Sequence, residues 1–203
     1  HRLFGGTFDP VHAGHLDLAR ALFEHLGLDE LRFLVAHVPP HKAGPHASGL
    51  HRHAMVSLAL AEEEQLLGDA RELDRSGPSY TIDTLRELRA ERPDAELFFL
   101  AGADSLRDLS EWREPQAILN EAVFCAVGRD GLSLAEAAEG HDEDVAAGRI
   151  RLLQHEPPPW SSTALRAMLA RGDDPPEEAL PTAVATYIRK TGLYRPTTSG
   201  SDS

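Results

Sequence analysis

At 203 residues and 41% hydrophobic content, the chain is long enough to bury a core of its own and suits one domain rather than several. A formal net charge of −13 argues against a nucleic-acid partner, whose phosphates demand a basic surface, yet leaves room for a small anion met by a few converging cations. No apolar run reaches the ~20 residues needed to cross a bilayer, no basic leader precedes the first apolar segment, and the lone Cys125 sits in the apolar run 123–127 as a packing residue. A cytoplasmic setting without membrane partners is therefore expected, with a homo-oligomer left open; the opening on His1 rather than Met is read as a trimmed first strand.

The chain opens on Leu3-Phe4, which reads as the end of a buried strand, followed by Gly5-Gly6-Thr7-Phe8-Asp9-Pro10-Val11-His12-Ala13-Gly14-His15. Leu16, Leu18, Ala19, Leu22, Phe23 and Leu26 then recur at helical spacing. Strand, glycine loop and helix in that order suit a phosphate, because the backbone can turn sharply and the helix start offers free N–H groups and the positive end of its dipole. Leu31 to Val35 reads as a second strand, stopped by Pro39-Pro40-His41-Lys42. Met55, Leu58, Ala59 and Leu66, with Glu62-Glu63-Glu64, predict an amphipathic helix with an acidic exposed face, and Ala70 to Leu73 a short strand. A turn at 76–79 feeds a helix from Thr81 to Arg92.

Leu97 to Ala101 is a continuous apolar strand of the kind covered on both faces, ending at Gly102-Ala103-Asp104-Ser105. A helix after Pro115, a strand from Val123 to Val127, a turn at 128–131, an Ala/Glu-rich helix through about Ala147 and a last strand from Ile150 to Leu153 follow. Ser161-Ser162-Thr163 starts a helix carrying Leu165, Met168 and Leu169, and a final helix runs from Pro181 to Thr191, closed by Gly192. Strands alternating with helices at this spacing predict an α/β fold, a Rossmann-like doubly wound parallel sheet with C-terminal helices, in one domain over 1–194 with a disordered tail at 195–203. The polar clusters at 5–15, 39–42, 102–105, 128–129 and 161–166 all follow predicted strands, so they should meet along one edge of the sheet.

A His-x-x-His pair such as His12 and His15 fits a metal site, a phosphate site or an incidental pairing. A metal would need a third ligand, and only Asp9 is near in sequence, whereas phosphate binding requires only hydrogen-bond donors after a glycine loop. Seven other histidines, His37, His41, His46, His51, His53, His141 and His155, lie in polar contexts without paired metal spacing and read as surface residues.

The 5–15 stretch resembles the signature of nucleotidyltransferases that join a nucleoside monophosphate to a phosphorylated acceptor and release pyrophosphate. Together with 39–42, 77–85, Asp104-Ser105-Leu106, Trp112, Ser161-Ser162-Thr163 with Arg166, and 192–194, it resembles the bacterial nicotinate-nucleotide adenylyltransferases across nearly the whole chain. The resemblance implies ATP and nicotinate mononucleotide as substrates, and Mg²⁺ as the ion that accompanies ATP. It makes His12, His15, Lys42 and Arg166 the catalytic set, and it assigns ATP to Gly5, Gly6, Thr7, Phe8, His12, His15, Gly102, Asp104, Arg129, Ser161, Ser162 and Arg166. The acceptor falls to Thr7, Lys42, Ser79, Tyr80, Thr81, Asp104 and Trp112, with Asp104 the carboxylate nearest the metal. Two positions depart from the family pattern: Asp130 stands where proline is common, and Trp160 where a smaller aliphatic residue is usual. Other acceptors, nicotinamide mononucleotide or phosphopantetheine, and a non-catalytic nucleotide-binding module remain the alternatives.

Overall fold

The computed structural model describes residues 2–26, 30–37, 46–128, 133–156 and 158–196. Among them, β1 (Arg2–Gly6), β2 (Leu31–Val35), β3 (Leu66–Asp69), β4 (Phe98–Gly102), β5 (Val123–Gly128) and β6 (Ile150–Gln154) form one six-stranded sheet in the order β3-β2-β1-β4-β5-β6. Every pairing is parallel. The order reverses between β1 and β4, and at such a switch point the loops leaving two adjacent strands diverge and open a crevice beyond their carboxyl ends.

The pleat sends successive side chains to opposite faces, which is why these strands are apolar at nearly every position. On one face Phe4, Phe33, Leu100 and Cys125 pack with residues of α1 (Ala13–Leu26), α2 (Gly49–Ala59), α8 (Ser162–Ala170) and α9 (Thr182–Thr191). On the other, Leu3, Leu34, Phe99 and Phe124 pack with α3 (Thr81–Glu91), α4 (Ala103–Arg107) and α5 (Pro115–Glu121). Short helices α6 (Leu134–Ala137) and α7 (Asp142–Ala146) lead into β6. Gly192 takes φ 69° at the end of α9, the left-handed cap expected of it.

The structure corrects three local expectations. Residues 70–73 form a turn rather than a strand, the strand being β3 just before it, so Leu66 belongs to the sheet and not to a helix. Glu62-Glu63-Glu64 lies beyond the end of α2, in the connection to β3, and not on a helical face. The Ala/Glu-rich segment is two short helices instead of one, broken at Gly140 with φ 82°.

Candidate active site

The glycine loop is shaped by what its neighbours leave room for. A Cβ on Gly5 would lie 2.6 Å from the Phe99 ring, and one on Gly6 would lie 2.7 Å from the Phe8 ring, so both must be glycine for the rings to pack. Phe8 adopts φ 50°, which turns its side chain into the core edge-on to Phe4, with centroids 5.5 Å apart. The chain then enters α1 with His12 just before its first turn and His15 within it.

Two backbone hydrogen bonds define the chemistry of that pair. The Gly14 N–H donates to His12 Nδ1 at 3.1 Å, and the His12 N–H donates to His15 Nδ1 at 3.2 Å. With Nδ1 an acceptor in both rings, each neutral imidazole carries its proton on Nε2. The rings lie 3.8 Å apart at 35°, with His12 buried and His15 half-buried. They are built as two Nε2–H donors, and a ring whose Nε2 is already protonated cannot take a proton there.

The loop is clamped from three sides. Arg166 of α8 donates to the Asp9 carbonyl at 2.7 Å, and the Ser162 hydroxyl donates to the Pro10 carbonyl at 2.9 Å, so the start of α8 sits on the glycine loop. The buried Asp9 carboxylate accepts from the His46 N–H at 2.7 Å, the Ala47 N–H at 3.1 Å and the Tyr194 hydroxyl at 2.6 Å. Beneath, the guanidinium of Arg52, only 1% exposed, donates to the carbonyls of Thr7, Ala36, His37 and Ala47 and so ties the ends of β1 and β2 together. Burial draws its pKa down from the usual arginine value.

Across the crevice, the Ser79 hydroxyl donates to the Glu72 carbonyl at 3.1 Å and Tyr80 is the N-cap of α3. Among the described residues no side chain caps that helix, so the N–H groups that precede Asp83 are open to an anion. Thr81 is its first helical residue. Trp112 stands edge-on to Phe99 and Phe124, at 6.0 Å and 6.2 Å, which fixes its indole plane at the wall. At the end of β4, Gly102 is the N-cap of α4 and Asp104 lies in its first turn, so Asp104 is not itself the cap.

These groups line one cavity of about 720 Å³, within the roughly 300–1,000 Å³ usual for small-molecule sites. Of the residues singled out in the sequence, Gly5, Gly6, Thr7, Phe8, His12, His15, Ser79, Tyr80, Thr81, Gly102, Asp104, Trp112, Ser162 and Arg166 border it. Ser161 does not; its hydroxyl caps α8 by accepting from the Ala164 N–H at 3.2 Å. Lys42 and Arg129 lie outside the described residues. The cavity also includes residues that no motif marks. Glu72 and Arg113 are among them, as is His46, read as a plain surface histidine and here 3.5 Å from the Asp9 carboxylate.

The cytidylyltransferase-like family model matches residues 3–168, from β1 into α8. A protein of Aeromonas hydrophila named as a probable nicotinate-nucleotide adenylyltransferase is 46% identical, with 96% of each chain covered. The chain belongs to the nicotinate-nucleotide adenylyltransferase family. A Thermus thermophilus relative of the same name is 44% identical over 95% of this chain and 98% of its own. For this adenylyltransferase the fold itself has a solved counterpart. Plasmodium falciparum nicotinic acid mononucleotide adenylyltransferase complexed with NaAD superposes with a TM-score of 0.73 at 18% identity, covering 95% of this chain and 96% of that one.

Proposed function

We propose that this adenylyltransferase condenses ATP with nicotinate mononucleotide to give nicotinate adenine dinucleotide and pyrophosphate, a step of NAD biosynthesis. In this reading a phosphate oxygen of the mononucleotide attacks the α-phosphorus of ATP, the new P–O bond forms, and the bond to the β-phosphate bridging oxygen breaks. The nucleophile is already anionic near neutral pH, so no base is required, and the protein must orient the partners and stabilise charge developing on the phosphates. His12 and His15 supply Nε2–H donors and Arg166 a fixed cation, with Ser162 beside them; Lys42 and Arg129 are proposed to join the same anion. The main chain of Gly5 to Phe8, and Gly102 at the end of β4, receive the nucleotide, Phe8 having its ring turned into the core. The first N–H groups of α3, with Ser79, Tyr80 and Thr81, take the ring carboxylate, and Trp112 offers the pyridine a flat face.

Nucleotidyltransferases of this family generally use a divalent metal with ATP. Among the described residues no group of three or more His, Cys, Asp or Glu is arranged to cage an ion. That donor set fits an ion held mainly by phosphate oxygens with Asp104 as its protein carboxylate, as suits Mg²⁺, which would screen the triphosphate charge.

The observation that carries this reading is the pair of histidines, each accepting a backbone N–H at Nδ1, on the same cavity as Arg166 and the start of α3. To test it, the protein is incubated with ATP and Mg²⁺ and offered nicotinate mononucleotide, nicotinamide mononucleotide or phosphopantetheine in turn. Pyrophosphate release is expected with the first and weakly or not with the others; no release with any acceptor refutes the enzymatic reading.

A further inference from the structure

One carboxyl in the cavity wall has no part in the chemistry above. Glu72 follows β3, is 5% exposed, and borders the cavity beside Ser79, Tyr80 and Thr81. Its carboxylate accepts from the Thr84 hydroxyl of α3 at 2.9 Å, and its carbonyl accepts from the Ser79 hydroxyl, while the His37 backbone N–H favours the ionised carboxylate. One residue therefore grips both the approach to α3 and its first turn. The His37 carbonyl is in turn held by Arg52 at 2.9 Å, and Arg52 also holds Thr7 at 2.8 Å. Arg52 thus ties the glycine loop to His37 beside Glu72, and Glu72 in turn holds the opposite wall.

We propose that Glu72 is a positioning residue for the acceptor, holding Ser79 to Thr81 at the distance from the glycine loop that brings the acceptor phosphate in line with the α-phosphorus. This rests on the reading that the acceptor occupies that wall. The segment before Ser79 passes through Gly77 at φ 99° in open space, and Glu72 holds it at Ser79 while Arg113 lies over the Tyr80 ring at 4.8 Å. Burial, with Asp69 paired to Arg71 and Arg32 adding a little, raises the carboxyl above its usual range, against which the Thr84 hydroxyl and then Arg75, which also donates to that hydroxyl at 2.9 Å, favour the ionised, accepting form. Replacing one carboxyl oxygen with an amide would point a donor at donors. Misplacement of a reactant by a fraction of an ångström is costly in a reaction that depends on alignment.

The test is steady-state kinetics on Glu72→Gln and Thr84→Val with ATP and nicotinate mononucleotide each varied in turn, alongside thermal melts. The acceptor KM is expected to rise about tenfold in both variants, the equivalent of one buried hydrogen bond, with the ATP KM within about threefold of wild type. Thr84→Val removes only a hydroxyl donor and carries the test by itself if Glu72→Gln does not fold. A parallel rise in both KM values tracking a lower melting temperature, or no rise in either, overturns the proposal while leaving the activity standing. A wild-type protein that turns over no nicotinate mononucleotide removes the functional reading and this inference with it.

Discussion

Replacing Arg52 by Met tests how much of the site is held from beneath. The side chain makes four hydrogen bonds to carbonyls, at 3.1 Å to Ala47, 2.8 Å to Thr7, 2.6 Å to Ala36 and 2.9 Å to His37. Bonds from a charged donor are worth about 1.5–3 kcal/mol each, so a simple sum would reach roughly 6–12 kcal/mol. Desolvating the guanidinium takes back several of these, and Met keeps the apolar stem, so the net loss should be the ~3–5 kcal/mol seen when a buried ionic partner is removed. Against a total of about 5–15 kcal/mol, that is a large fraction. At roughly 2–4 °C per kcal/mol for a chain of this size, the melting temperature should fall by about 6–20 °C. Urea unfolding followed by circular dichroism gives the free energy directly, provided the slope with denaturant is unchanged. A loss below about 1 kcal/mol would show that the carbonyls find other partners and would refute the account of Arg52 as the tie between β1 and β2.

Three further outcomes follow from the same geometry. His15→Ala should lower kcat by about 10²-fold or more in steady-state assays, as loss of a preorganised donor commonly does, and an unchanged kcat would make the ring structural. Burial, and then the Asp9 carboxylate beside it, hold the Tyr194 hydroxyl protonated far above the usual tyrosine range. Unfolded tyrosine ionises near pH ~10, so this contribution is full below that pH and lost above it; Tyr194→Phe should flatten the fall in urea midpoint between about pH 9 and 11 relative to wild type. Burial pushes the Cys125 thiol up to about 11, so a thiol reagent at pH 8 should label it only after unfolding, and rapid labelling of the native protein would contradict its place in the core.

The fold was legible wherever burial imposes its own regular pattern, continuous for a strand covered on both faces and striped for a helix covered on one. The 97–101 run is apolar throughout because β4 lies inside the sheet, and the stripe from Leu16 to Leu22 is helical because α1 packs on one face only. β3 was missed because it is an edge strand of four residues including Gly68, and Leu66 stands eight residues after Leu58, a spacing a helix would also produce. The Ala/Glu-rich composition favours one long helix, but Gly140 at φ 82° takes the left-handed conformation that ends a helix. Within the site, the residues beside the glycine loop could be found because parallel-sheet topology gathers loops that follow strands. Glu72, Arg52 and His46 could not, since their partners lie far along the chain and no local spacing announces such bonds. Ser161 shows the converse, a motif residue whose hydroxyl is committed to its own helix.

The hydrogen bond from Tyr194 to Asp9 spans 185 positions of sequence and joins the glycine loop to the segment that follows α9. On a nascent chain the buried Asp9 carboxylate therefore gains this donor only after α9 has been made. Trimming the protein from its C-terminal end through Tyr194 would leave the buried Asp9 carboxylate of the glycine loop short of one donor. Proteolysis or a premature stop there should accordingly disarm the site at a distance from it, without touching any residue that lines the cavity.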